Sequence, residues 1–170
     1  MLAEGVALPN PTACLLVIGN EVLSGRTQDA NIKFIATGLG EIGIPLREVR
    51  VIPDVAETIV TTVSECRARF DHVFTTGGIG PTHDDITADS VAKAFGVGID
   101  HHPEVVARFR ERFQGAGELN EARLRMARIP DGAELIQSAT ILAPGFKIGN
   151  VIVMAGVPSI LQAMMDIITP

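Results

Sequence analysis

The residues most able to do chemistry stand together in TTGGIGPTHDDIT, residues 75–87. An apolar run precedes this segment and a helix-like pattern follows it, so we expect a strand, a glycine-rich loop and a helix in succession. The loop glycines, Gly77, Gly78 and Gly80, permit positive φ angles and carry no Cβ that would hold a ligand away from the backbone. Because backbone N–H groups at a helix start bind anions, the segment predicts a site for a phosphorylated small molecule.

Two adjacent carboxylates, Asp84 and Asp85, follow the glycines. Like charges side by side are costly unless a cation or a helix start offsets them. A divalent cation such as Mg²⁺ would take both carboxylates while bridging ligand phosphates. The alternatives are structural: Asp85 or Thr87 caps the next helix, and Asp84 is merely solvated. His83 could act as an acid or base, or hydrogen-bond within the turn.

The loop at residues 19–31 offers a second set of polar side chains. Glu21 follows an apolar run directly, and we expect it to face the glycine-rich loop. Arg26 could pair with a ligand phosphate or with Glu21 itself. Asp29 and Asn31 could contact a ligand heterocycle or cap the helix that follows.

Two further loops could reach the same place. Asp54 follows another β-like run and could either face the site or act as the N-cap of the next helix, with Glu57 at the capping-box position. The segment GVPS, residues 156–159, follows the last apolar run and offers Pro158 and Ser159.

The elements that must position these loops alternate along the chain. Strands are predicted over 12–19, 45–52, 71–76 and 133–136, with a short strand or turn over 97–100 and a β-hairpin over 145–156. Helices are predicted from Thr27 to about 42, over 53–70, 87–96, 103–113, 120–127 and 157–170. This order favours right-handed βαβ units in a three-layer α/β/α sandwich with a mostly parallel sheet plus a small β-hairpin. Ligands of such sheets bind beyond the carboxyl ends of the strands, so the four loops should converge on one rim.

Length and composition set the class of protein. The 170 residues are 46% hydrophobic and 20% charged, with a net charge of −6, which indicates a single globular domain over 1–170, with residues 1–11 as an extended N-terminal arm. The absence of a Lys/Arg run, of Trp and of Tyr argues against nucleic-acid binding. No apolar run reaches the ~18 residues of a membrane span and no signal peptide is visible, so a cytoplasmic protein without membrane contact is expected. Cys14 and Cys66 match no zinc spacing and are interpreted as small core residues.

The segment TTGGIGPTHDDIT resembles the signature loop of the molybdopterin-binding family, the MogA/MoaB-like domain of molybdenum-cofactor biosynthesis. The order GNEVLSGRTQDAN, VIPD, TTGGIGPTHDD, APGF, AGVPS is similar to that of its competence/damage-inducible protein A (CinA) branch. GRTQDAN and GGIGPTHDD are also similar to the N-terminal molybdopterin-binding-like domain of eukaryotic FAD synthases. The resemblance runs from about residue 12 to residue 165.

The resemblance implies a rim site for molybdopterin or an adenine-containing phosphate compound. It implies Asp85 as the functional acidic residue and Asp54 as a second one, both catalytic if the domain is an enzyme. The ligand-cradling positions would be Gly77, Gly78, Gly80 and Thr82. In the CinA branch it implies metal-dependent hydrolysis of a nucleotide pyrophosphate such as ADP-ribose, and in the FAD-synthase branch it implies cleavage of FAD. The carboxylates that would hold the metal are Asp84, Asp85 and Glu21, with Asp54 beside them.

One segment departs from the CinA pattern. This chain reads ILAPG at 141–145 where CinA proteins often read GTAPG, so one hydrogen-bonding Thr is absent. Three functions therefore stay open: a domain that binds a phosphorylated pterin or adenine nucleotide, a metal-dependent pyrophosphohydrolase, and a ligand-sensing or assembly domain without catalysis. Related domains associate through sheet edges and helices, so a homo-oligomer is expected.

Overall fold

The computed structural model describes residues 9–115 and 119–169. The strands are β1 Ala13–Ile18, β2 Leu46–Ile52, β3 His72–Thr76, β4 Ile99–His101, β5 Arg128–Pro130, β6 Glu134–Ile136, β7 Gly145–Ile148 and β8 Val151–Met154. The helices are α1 Asn20–Leu23, α2 Asn31–Glu41, α3 Ala56–Arg69, α4 Thr87–Phe95, α5 Pro103–Arg112, α6 Glu121–Arg125 and α7 Pro158–Ile168. Of the predicted N-terminal arm, residues 1–8 lie outside the described residues.

Six strands form one sheet in the order β2-β1-β3-β8-β7-β6. The first four are parallel, and β7 and β6 continue the sheet as antiparallel neighbours. Strands β7 and β8 form the predicted hairpin, which turns at Gly149 with a φ of 55°. Strands β4 and β5 pair separately as a short antiparallel ribbon.

Helices cover both faces of the sheet, which explains why β1 is buried along its whole length. Alternate residues of the strands point to opposite faces, so each face has its own apolar cluster. Helices α2 and α7 pack on one face through Ile35, Leu39, Leu161, Met164 and Met165. Helices α3 and α4 pack on the other through Ile59, Val63, Cys66 and Val91. The three-layer α/β/α fold with a mostly parallel sheet and a small hairpin is therefore confirmed.

A third, smaller apolar cluster lies outside the two main layers. It joins Val105 and Phe109 of α5 to Ala127, just after α6. Pro103 begins α5 at a position where its missing N–H costs no helical hydrogen bond, as predicted. Asn120 caps α6, because its side chain accepts a hydrogen bond from the N–H of Arg123 at 2.9 Å.

The helix caps predicted for α3 and α4 are wrong. Asp54 does not cap α3, whose N-cap is Val55 without any side-chain hydrogen bond, so the capping box with Glu57 does not form. Neither Asp85 nor Thr87 caps α4, whose N-cap is Ile86.

Other boundaries follow from local hydrogen bonds. Helix α2 begins at Asn31 rather than at the predicted Thr27, and the carboxylate of Asp29 accepts the N–H of Ile32 at 2.8 Å at its first turn. Gly96 ends α4 in the left-handed conformation, with a φ of 66°, as its position in the sequence indicated. Across the described residues, no helix is long and apolar enough to cross a membrane.

Candidate ligand-binding site

The four loops singled out in the sequence meet at one edge of the sheet. Because β2, β1, β3 and β8 are parallel neighbours, their carboxyl ends lie side by side. The loops that leave these ends surround a cleft of about 510 Å³ and an adjoining pocket of about 240 Å³. Both are of a size that can take part of a nucleotide-sized molecule. The predicted convergence on one rim is what the structure shows.

Two glycines let the loops approach one another. Gly77 has a φ of 94°, and a Cβ at this position would lie 2.1 Å from the carbonyl oxygen of Ile18. Gly78 has a φ of 70°, and its Cβ would lie 2.0 Å from Oγ1 of Thr87. A Cβ at Gly156 would lie 3.3 Å from the Cα of Gly77. The sequence prediction assigned these glycines to ligand approach. The structure shows that contacts within the chain already require two of them, Gly77 and Gly78.

Asp85 shapes the glycine-rich loop from within. Its Oδ2 accepts the backbone N–H of Thr82 at 2.8 Å and the hydroxyl of Thr82 at 2.7 Å. Gly80 lies against the same carboxylate, since a Cβ there would be 2.9 Å from Oδ2. The hydroxyl of Thr87 is buried and donates to the carbonyl of Gly77 at 3.0 Å, which fixes the base of the loop. Asp85 lines both the cleft and the smaller pocket, so it stands where the two join.

The smaller pocket is strongly acidic. Its ionisable lining residues are Glu21, Arg26, Asp54, Asp84 and Asp85. Burial, chiefly, and then the neighbouring carboxylates of this pocket raise the pKa of Asp54 above its ordinary value, although the N–H of Asn20 opposes the shift. The neighbouring carboxylates give the pocket a negative potential, which favours a cation over an anion in this space.

The proposed metal ligands Asp84, Asp85 and Glu21 share this pocket but do not form a tight cage. Within the described part of the chain, no three carboxylates of this pocket offer oxygens within 4.8 Å of one another. His83 is exposed and lies 3.2 Å from the carboxylate of Asp84, facing solvent rather than the cleft. The metal assignment therefore stays a prediction, and a cation here would have to draw the carboxylates together.

Asn31 holds the cleft together from the opposite side. Its side chain is 4% exposed, and Nδ2 donates to the carbonyl of Gly156 at 2.8 Å. This bond joins the start of α2 to the loop after β8. Asn31 thus lines the cleft and also supports it, and its contact with a ligand stays a prediction.

The other predicted site residues divide between the two spaces. Those that line the large cleft are Glu21, Asn31, Gly77, Gly78, Gly80, Asp85 and Pro158. Those that line the small pocket are Glu21, Arg26, Asp54, Gly78, Thr82, Asp84 and Asp85. Ser159, an exposed residue of the first turn of α7, lines neither of these two.

Sequence reasoning missed the apolar wall of the cleft. Met126 and Leu142 line it from positions far along the chain. Neither stands in a motif of polar or glycine residues, and an isolated Met or Leu in a sequence is usually read as core. Their place beside the glycine-rich loop depends on how α6 and the segment before β7 pack.

Comparison with known proteins agrees with this architecture. Residues 14–170 match the family described as a probable molybdopterin binding domain. A protein of Aeropyrum pernix is 38% identical over 164 residues, 92% of this chain and 60% of its own length. A CinA-like protein of Citrifermentans bemidjiense is 38% identical over 159 residues, 89% of this chain and 38% of its own length. A probable FAD synthase of Caenorhabditis elegans is 34% identical over 175 residues, 91% of this chain and 34% of its own length. The chain thus spans between about a third and three fifths of these relatives.

Solved structures extend the comparison. The protein CinA of Thermoplasma acidophilum, described as of unknown function, has a TM-score of 0.85 and 31% sequence identity, covering 94% of this chain and 96% of that chain. The molybdopterin biosynthesis Mog protein of Mycobacterium ulcerans has a TM-score of 0.59 and 17% identity, covering 93% of this chain and 91% of that one, a likeness of fold alone. The chain therefore belongs to the family of probable molybdopterin-binding domains and is a CinA-type member of it.

Proposed function

We propose that this domain binds a phosphorylated compound carrying a flat heterocycle, a pterin or an adenine nucleotide. The heterocycle would occupy the large cleft and the phosphates would face the glycine-rich loop and the small pocket. The observation that carries this proposal is the junction of the two spaces, which share Ile18, Glu21, Gly78 and Asp85. A ligand with one apolar end and one charged end matches such a pair.

The large cleft suits a heterocycle because its walls are mainly apolar. Val22, Ile79 and Leu142 contribute aliphatic surface, while Asn31 and Asp29 supply polar groups at the rim. A binding cleft of this kind combines apolar contact area with a few polar groups that fix orientation.

The glycine-rich loop suits a phosphate because its backbone donors are free. Among the described residues, the N–H groups of Gly78, Ile79 and Gly80 donate no hydrogen bond to the protein. Consecutive free N–H groups next to glycines with positive φ form a concave site for an anion. The predicted ligand-binding role of Gly78 and Gly80 rests on this feature.

The acidic pocket adds a requirement for a cation. Four carboxylates and a single Arg26 face this space, so a bare phosphate would meet net repulsion. Mg²⁺ or another divalent cation between the phosphate oxygens and Glu21, Asp84 or Asp85 would reverse that repulsion. Binding should therefore depend on the divalent cation.

The test is calorimetric titration of the protein with ADP-ribose, FAD, AMP and molybdopterin, each with and without Mg²⁺. We expect at least one compound to bind with Mg²⁺ and to bind at least tenfold more weakly without it. The variant Asp85→Asn should lose this cation dependence, whereas Asp166→Asn, an exposed carboxylate of α7, should not. No binding across the panel, or equal binding by Asp85→Asn, would overturn the proposal.

The same samples separate binding from catalysis. If chromatography shows AMP released from ADP-ribose or FAD only when Mg²⁺ is present, the domain is a pyrophosphohydrolase, with Asp85 and Asp54 as the residues to test next. If the compounds bind and stay intact, the domain is a binding or sensing module.

A further inference from the structure

Two buried thiols and a carboxylate meet at the amino end of the parallel strands, away from the cleft. Cys14 lies on β1 and Cys66 on α3, and their Sγ atoms are 3.6 Å apart. Glu48 of β2 is the direct cross-strand partner of Cys14. The two Sγ atoms and one carboxylate oxygen of Glu48 all lie within 4.8 Å of one another. Among the described residues, no other His, Cys, Asp and Glu side chains form such a group.

We propose that Cys14, Cys66 and Glu48 form a binding site for one thiophilic divalent cation of the Zn²⁺ class. Zinc–sulfur bonds are about 2.3 Å long, so two thiolates in a tetrahedral site lie about 3.8 Å apart. The observed separation of 3.6 Å between the two Sγ atoms matches this value closely. Glu48 would give the third ligand and water the fourth, as in zinc sites with an open position.

The charges around the three side chains suit a bound cation. A divalent ion with two thiolates and one carboxylate carries a net charge of −1. The guanidinium group of Arg50 pairs with the carboxylate of Glu48 and, at 2.7 Å, with that of Glu65. The guanidinium group of Arg69 lies 3.5 Å from the carboxylate of Glu48. These guanidinium groups offset the negative charge and hold the carboxylate of Glu48 in place, as second partners of metal ligands commonly do.

The carboxylate of the proposed site is nearer to solvent than its two thiols. Both cysteines are fully buried, but the side chains of Glu48 and Arg50 are 29% and 27% exposed. The Arg50–Glu65 ion pair is near the surface, where such pairs are weak and can open. Because a metal binds the thiolate form of cysteine, uptake of the cation releases the two thiol protons to solvent.

The experiment is a titration of reduced, metal-free protein with Co²⁺ and Cd²⁺, followed by ultraviolet–visible absorption. Thiolate-to-metal charge-transfer bands should rise to a plateau at one equivalent, and Zn²⁺ should abolish the Co²⁺ bands by competition. Cys66→Ser should lose the bands, and Glu48→Gln should weaken binding at least tenfold. The matched control is Glu65→Gln, which removes the other partner of Arg50 and should keep the bands.

Three results would overturn the proposal. One is the absence of charge-transfer bands in wild-type protein, and another is unchanged bands in Cys66→Ser. The third is a reduced protein that takes up no cation but loses both free thiols on mild oxidation. That result would make the two cysteines a redox pair instead. Circular dichroism checks that each variant is folded. The Glu48→Gln variant keeps both cysteines, so this variant tests the site even if a cysteine variant fails to fold.

Discussion

Asn20 and Asp54 hold each other through two reciprocal hydrogen bonds. The backbone N–H of Asn20 donates to Oδ2 of Asp54 at 2.9 Å, and the backbone N–H of Asp54 donates to Oδ1 of Asn20 at 3.3 Å. The pair ties the end of β1 to the end of β2 at the wall of the acidic pocket. Asp54 therefore has a structural acceptor role that is separate from any role in binding or catalysis.

Replacing Asp54 by Asn should change how stability depends on pH. The pKa of Asp54 is raised in the folded state from an ordinary value of 3.8, chiefly by burial. As pH rises through 3.8, the unfolded state loses this proton first, so the free energy of unfolding falls until the folded carboxyl has ionised too. Asp54→Asn removes that loss and keeps an acceptor for Asn20.

The measurement is urea unfolding of wild type and Asp54→Asn at intervals from pH 3 to pH 7. The variant should gain stability relative to wild type as pH rises, and Asp166→Asn should run parallel to wild type. Parallel curves for Asp54→Asn and wild type would show that Asp54 titrates normally.

Gly77→Ala should be among the most destabilising substitutions at the rim. Its Cβ would lie 2.1 Å from the carbonyl oxygen of Ile18, and its φ is 94°. Gly25 has a φ of 74° with open space around its Cβ, so Gly25→Ala measures the cost of the backbone conformation alone. We expect about 1 kcal/mol for Gly25→Ala and about 3 kcal/mol or more for Gly77→Ala, by chemical unfolding. Equal losses would mean that the loop moves aside for the new Cβ.

Asn31→Ala should weaken both stability and ligand binding. The substitution leaves the carbonyl of Gly156 without its partner and should cost about 1–3 kcal/mol of unfolding free energy. Asn150 is the control, because its Nδ2 donates to the carbonyls of Arg67 and Phe70 away from the cleft. Asn150→Ala should lose comparable stability while calorimetry finds ligand affinity unchanged. A loss of affinity in both variants would point to general loosening rather than to the cleft.

Cys14 should make the protein sensitive to alkali. Burial, and then Cys66, raise the pKa of its thiol from 9.0 to about 12, so above pH 9 the unfolded state releases this proton while the folded state keeps it. The free energy of unfolding should therefore fall by up to about 1.4 kcal/mol per pH unit between pH 9 and pH 12. Cys14→Ala should start less stable but decline less steeply, measured with a reductant and a chelator present. The chain has no Tyr to obscure the result.

The sequence predicted the elements whose signals are local. β1 is an unbroken apolar run, α4 ends at a glycine, and α5 begins at a proline, and all three occur as expected. These signals are reliable because each structural feature restricts the type of residue at its own position. A strand buried on both faces requires apolar residues, a left-handed helix end favours glycine, and the first position of a helix tolerates proline.

What the sequence could not predict depends on competition between distant partners. Aspartate is a favoured N-cap residue, yet the carboxylate of Asp54 accepts a hydrogen bond from the N–H of Asn20, 34 residues away, instead of one from α3. The strand β5, of three residues, exists because it pairs with β4. The convergence of the polar loops was predictable from the parallel order of strands, whereas the apolar wall at Met126 and Leu142 was not.

That wall has a consequence for how ligand preference can change. Met126 and Leu142 pack against the small cluster of Val105, Phe109 and Ala127, which is separate from the clusters under the sheet. The glycine-rich loop, by contrast, is fastened to β1 and β8. Mutation can therefore remodel one side of the cleft while the side formed by the glycine-rich loop keeps its form. The selectivity of the proposed site can then evolve, or be engineered from libraries at Met126 and Leu142, without rebuilding the fold.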